Sequence, residues 1–184
     1  MQRIGLVFAV AVMVSSGVAR GQMQMPAAPQ AAPAGPAGPA AEVQRGYAAL
    51  KGNILKAADK MPAADYQFMP TPDVRTFARV VNHVTEAQFR SCGAVNHTTE
   101  AAKVPADTAD KDAIVAGLQA SFAECDKAFA ALTDANIADM FVLGQGKRSR
   151  IGLAWGTVSH DNEQYATLAL YLRLKGLVPP SSEK

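Results

Sequence analysis

Between the break at Gly144-Gln-Gly146 and Gly176 the chain carries apolar residues at spacings that no single narrow helix face can hold. Leu153, Trp155, Val158, Tyr165, Leu168 and Leu172 are distributed nearly all round a 3.6-residue helix, and a helix of that kind has to be well buried. The spacing therefore predicts a long final helix, to about Lys175, enclosed by other elements. Gly176 is suited to end it in a left-handed turn, and Pro179-Pro180 prevents its continuation.

Three more helix-length segments can enclose it. Tyr47, Leu50, Ile54, Leu55 and Ala58 recur at helical spacing over residues 43–60. Pro62 to Tyr66 reads as a short helical turn, and Pro70 and Pro72 force a loop by removing donors and restricting their neighbours. A second helix begins near Asp73 or Val74, carries Phe77, Val80, Val81 and Val84, and fades around residues 93–96. Residues 97–109 are polar, include Pro105, and read as a crossing loop. A third helix follows Thr108 or Asp110 with Ile114, Leu118, Phe122, Cys125, Phe129 and Leu132 inward. Residues 133–147 are less regular, and no segment sustains a strand alternation. The expected fold class is all-α, an antiparallel four-helix bundle.

The first 42 residues are of a different kind. Arg3, the apolar run 4–14 and the small residues of Ser15-Ser-Gly-Val-Ala-Arg-Gly21 read as an export signal over residues 1–21, cleaved after Ala19 or Gly21. The run is shorter than the roughly 20 apolar residues that a spanning helix needs. Residues 22–42 are a Pro/Ala-rich linker, expected to be disordered because it has nothing to pack. The expected location is exported, periplasmic or extracellular, leaving 43–180 as one domain of ordinary size. Removing residues 1–21 deletes Arg3 and Arg20 and no acid, which leaves 16 basic against 16 acidic residues. A chain so balanced is not built for phosphate backbones, so nucleic acid is excluded as the expected partner, and so is a membrane once the signal is gone. The cluster Lys147-Arg-Ser-Arg150 reads as a solvated patch at a helix start. A small-molecule ligand and a homodimer stay open.

Cys92, near the end of the second helix, and Cys125, in the third, are the only cysteines. An even count in an exported chain favours a disulfide. Its 33-residue loop is worth roughly 3–4 kcal/mol in the chain-entropy model. The alternative is two small buried hydrophobes. No Cys-x-x-Cys spacing marks a redox pair.

The candidate site rests on two of the three histidines. His160 and Gln164 are one helical turn apart and point the same way, with Thr167 and Tyr171 extending the row, and His83 sits in the second helix. Two helices that each offer an imidazole can build a metal site within a bundle. His97, in a loop with Thr98 and Thr99, reads as a surface histidine.

Several separated motifs occur in order: Met61-Pro-Ala-Ala-Asp-Tyr-Gln-Phe-Met-Pro-Thr-Pro-Asp73, Val80-Val-Asn-His-Val84, Ser159-His-Asp-Asn-Glu-Gln-Tyr165 and Tyr171-Leu-Arg-Leu-Lys-Gly-Leu-Val-Pro-Pro-Ser-Ser182. Together they resemble the DinB-like superfamily over roughly residues 43–182. The resemblance implies a four-helix bundle related to bacillithiol transferases and mycothiol-dependent isomerases. It also implies a divalent metal on three histidines, one from the second helix and two from a His-x-x-x-His pair on the last. Carried onto this chain, those positions are His83, His160 and Gln164. An amide oxygen is a poor ligand for zinc or nickel beside an imidazole, so the site is degenerate and its metal weakly held or absent. Glu163 and Glu86 are the nearby candidates to replace the missing histidine. The function expected is an exported domain with a degenerate metal-type pocket that binds a small molecule. The alternative is a divalent-metal-dependent thiol transferase or hydrolase, for which the sequence offers no independent nucleophile.

Overall fold

The structure, a computed structural model, describes residues 38–99 and 102–183. The expected signal segment and most of the linker lie outside the described residues.

Four helices form the body: α1 (Pro39–Lys60), α2 (Phe77–Asn96), α3 (Lys111–Ala130) and α4 (Arg150–Leu174). Each start has a physical cause. Thr76, Asp110 and Ser149 cap α2, α3 and α4, their side chains accepting from the backbone N–H of Arg79, Ala113 and Gly152. Helix α1 begins earlier than its apolar pattern indicates and takes in residues 39–42, assigned above to the linker. Pro39 is tolerated in the first turn, where its missing N–H is not needed. The Ala40 N–H donates to Asp134 Oδ1 at 2.8 Å, so a carboxylate far along the chain supplies the cap that no local residue does.

The bundle is all-α in its body, as expected, with a difference in helix direction. Contacts between α2 and α3 advance together: Gln88 meets Ser121 and Cys92 meets Cys125. These two helices run parallel. So do α1 and α4, where Gly46 faces Val158 and Lys60 reaches the carbonyl of Val178. The two pairs oppose each other, since Gln44 meets Phe129 while Asp59 meets Lys111. The cause is the crossing connection between α2 and α3. Asn82 Nδ2 donates to the Pro105 carbonyl (3.0 Å) and to Asp107 Oδ1 (2.8 Å), tying that connection back along α2. Helix α3 therefore starts beside the start of α2.

Between α3 and α4 the chain forms a hairpin, β1 (Met140–Leu143) and β2 (Gly146–Ser149), which the sequence reading passed over as a break. Its two-residue turn, Gly144-Gln145, has φ +60° at Gly144. That value is favourable for glycine at the first turn position of a II′ hairpin.

The core is filled by Ile54, Met61, Phe77, Val81, Ile114, Leu118, Phe122, Leu168 and Leu172. Tyr47 stacks on Phe129 with centroids 3.9 Å apart. Cys92 and Cys125 form a disulfide between α2 and α3, Cα atoms 5.0 Å apart. Helix α4 is less enclosed than its composition suggests, since Trp155 is 61% exposed and Leu170 and Leu174 also face outward. Among the described residues no helix is long and apolar enough to cross a membrane.

Candidate metal-type pocket

Helices α2 and α4 run antiparallel, and their contact brings His83 and His160 together. The two Nε2 atoms are 3.1 Å apart and the rings are tilted by 60°. Behind each ring stands a carboxylate. His160 Nδ1 is 3.4 Å from Asp161 Oδ1, and His83 Nδ1 is 3.9 Å from Glu86 Oε2. Both carboxylates are themselves held. Glu86 accepts from Arg79 through both oxygens at 2.7 and 2.9 Å. Asp161 Oδ2 accepts from Gln88 Nε2 at 2.8 Å, and Gln88 Oε1 accepts from the Ser121 hydroxyl at 2.8 Å. A continuous polar chain thus crosses the bundle from α3 through α2 to α4.

This arrangement sets the two Nε2 atoms face to face. A carboxylate hydrogen-bonded to the far nitrogen of a histidine fixes the ring and its tautomer and raises its basicity as a ligand. Asp161 is placed to do so for His160, while Glu86 at 3.9 Å acts on His83 through its charge. Burial, with Arg75, His160 and Arg79 adding to it and Glu86 opposing, lowers the His83 pKa from its ordinary value, which favours the neutral, ligating form. Asp161 is only 1% exposed. Burial raises its pKa, against the opposing hydrogen bonds of His160 and Gln88.

The residues present fit a divalent ion in part. Nitrogens at ~2.0–2.1 Å from one tetrahedral ion stand about 3.3 Å apart, close to the observed separation. The same separation serves an N–H···N hydrogen bond between two neutral rings. Gln164 is one turn beyond His160 on α4 and 5% exposed. No hydrogen bond of its amide is found among the described residues. Of the two candidate replacement ligands, Glu163 lies on the exposed side of α4 and Glu86 accepts from Arg79. Among the described residues no group of three His, Cys, Asp or Glu side chains is arranged to hold a metal. Of the row on α4, Tyr171 turns inward and donates to the Arg75 carbonyl at 2.9 Å, while Thr167 bonds its own helix at Glu163 O. His97 is exposed and caps α2 with φ 55°.

A cleft of about 370 Å³ opens beside the pair, between α2, α4 and the hairpin, and His160 and Asp161 line it. Sequence reasoning missed Asp161, Gln88 and this cleft. Asp161 carried no clear signal, since it lies in the polar run Ser159-His-Asp-Asn-Glu-Gln164 and nothing there marks it as the buried acid.

The protein is thus a helical bundle in which two imidazoles face each other across antiparallel helices. Residues 46–168 match the model of the DinB superfamily, and the chain belongs to that superfamily. Its fold is similar to that of a DinB-like protein from Bacillus cereus ATCC 10987, with a TM-score of 0.61 and 13% identity, covering 75% of this chain and 93% of that one. It is also similar to a conserved protein from Enterococcus faecalis, with a TM-score of 0.57 and 13% identity, covering 73% and 95%. At such identities the likeness is one of fold. No curated protein matches the sequence.

Proposed function

We propose that this chain is an exported DinB-superfamily binding domain. In this reading His83 and His160 hold a zinc- or nickel-type ion weakly, with the Gln164 amide in place of a third imidazole, and a small molecule occupies the cleft beside them. The observation that carries the reading is the 3.1 Å approach of two Nε2 atoms, each with a carboxylate behind its ring. The disulfide supports export, because reducing compartments do not keep such bonds. Bound there, the ion would act as a Lewis acid toward a water or thiol. That is the basis of the alternative reading as a thiol transferase or hydrolase, and the opening of the cleft at His160 is what favours it.

The test is metal titration of the exported, tag-free protein against a chromophoric chelator. Wild type should bind zinc or nickel weakly, and His83→Ala and His160→Ala should abolish binding. Gln164→His should tighten it at least tenfold, or about 1.4 kcal/mol. A tight stoichiometric ion in wild type overturns the degenerate site. No binding by either wild type or Gln164→His overturns the metal reading. N-terminal sequencing of the same exported material should begin between residues 20 and 22, and an intact Met1 would sink the export claim.

A further inference from the structure

Two guanidinium groups line the cleft. Arg90 on α2 and Arg148 on β2 are exposed, and among the described residues neither takes part in an ion pair. Their natural partners are engaged elsewhere. Glu86 stands one turn before Arg90, at the spacing that usually pairs charges on a helix, yet both its oxygens are held by Arg79. In the hairpin region Asp139 is bonded to Arg150 at 3.2 Å and not to Arg148. The wall between them is made of small residues: Ala87 on α2, Gly152 and Gly156 on α4 and Gly144 in the hairpin turn. A Cβ added at Gly156 would come within 4.0 Å of Arg148 Nη1, so the guanidinium lies directly over that bare backbone.

Hydroxyls of Ser91 and Thr157 share the rest of the lining with Leu143 and Leu153. Ser91 Oγ and Thr157 Oγ1 are 2.9 Å apart, and each also reaches a carbonyl of its own helix. The cleft's one carboxylate, Asp161, is buried and already accepts from Gln88. The exposed charges of the cleft are therefore cationic, and its floor mixes these polar groups with the apolar Leu143 and Leu153. The volume of about 370 Å³ falls at the lower end of the ~300–1,000 Å³ of small-molecule pockets. It suits a small metabolite and not a polymer.

We propose that this cleft binds a small oxyanion, a molecule bearing a carboxylate or phosphate group held by Arg90 and Arg148, with its remainder directed toward His160. A planar guanidinium fork matches both groups. The proposal deepens the binding reading above by naming the ligand class, but it does not require the metal.

The experiment uses the folded, disulfide-bonded protein in chelator-treated buffer, with amide and arginine side-chain NMR shifts as the readout. Succinate and inorganic phosphate are the probes, and succinamide is the uncharged control. At least one anion should saturate, moving the signals of Gly144, Gly152, Gly156 and the two arginines, while succinamide should not. Which anion binds more tightly assigns the carboxylate or the phosphate. Arg90→Ala and Arg148→Ala, at exposed positions that keep the fold, should each weaken binding at least fivefold, and metal titration of both variants should match wild type. The proposal is overturned if neither anion saturates, if the shifts scatter over the surface, or if the arginine variants bind as wild type does. Loss of metal binding in His83→Ala with retained anion binding would separate this inference from the metal reading.

Discussion

Asp161 is a carboxylate held in the interior by an amide and an imidazole rather than by a cation. Removing it strands the Gln88 Nε2 that it accepts from at 2.8 Å, and a buried donor left unpaired costs about 1–3 kcal/mol. Asp161→Ala should therefore lower unfolding free energy by about that amount in urea titration, and Asp161→Asn, which keeps an acceptor, by less. Glu124 makes the opposite kind of bond. The Thr98 hydroxyl, the Asn96 amide at 2.8 Å and Lys127 at 3.1 Å all donate to it, and these bonds lower its pKa below the ordinary glutamate value. A carboxylate with a depressed folded pKa contributes stability that is present above its unfolded value, near pH 4.5, and lost as pH falls through the folded one. Urea titrations below that pH should lose stability with acidification, and Glu124→Gln should flatten the fall. At this scale His83 and His160 were legible because a motif marks them. Asp161 and Gln88 were not, because what makes them matter is a partner on another helix.

Between elements, the Cys92–Cys125 bridge joins α2 to α3 across 33 residues of chain. A loop of that length is worth roughly 3–4 kcal/mol. At ~2–4 °C per kcal/mol for a chain of this size, reduction should lower the thermal midpoint by roughly 10 °C. A shift under about 2 °C in scanning calorimetry would mean that packing between the helices already supplies the constraint. The helices themselves were legible, since each has both an apolar period and a local cap or breaker. Three features were not. Four-residue strands are too short to display alternation, so the hairpin was passed over. The start of α1 depends on Asp134, 94 residues away from Ala40. Trp155 was assigned to the interior because an apolar residue on a helix of mixed faces gives no sign of which face lacks a neighbour; the structure leaves it outside.

Across the whole molecule, the direction of the helices was the least legible property, because periodicity is the same whichever way a helix runs. Only the length and pinning of the connection after α2 decide it. That arrangement also sets an order of events. Contacts between α2 and α3 close loops of about the disulfide's 33 residues, whereas Lys60 meets Val178 across 118. The longer closure costs about 1 kcal/mol more in chain entropy. Pulse-labelled hydrogen exchange during refolding should accordingly protect α2 and α3 amides before those of α1 and α4, and simultaneous protection would contradict it. A chain threaded N-terminus first through a translocation channel meets the same constraint as a delay. In such a chain the first helix would emerge without its partners and stay exposed until α3, which meets Tyr47 and Lys51, and then α4 had followed it out.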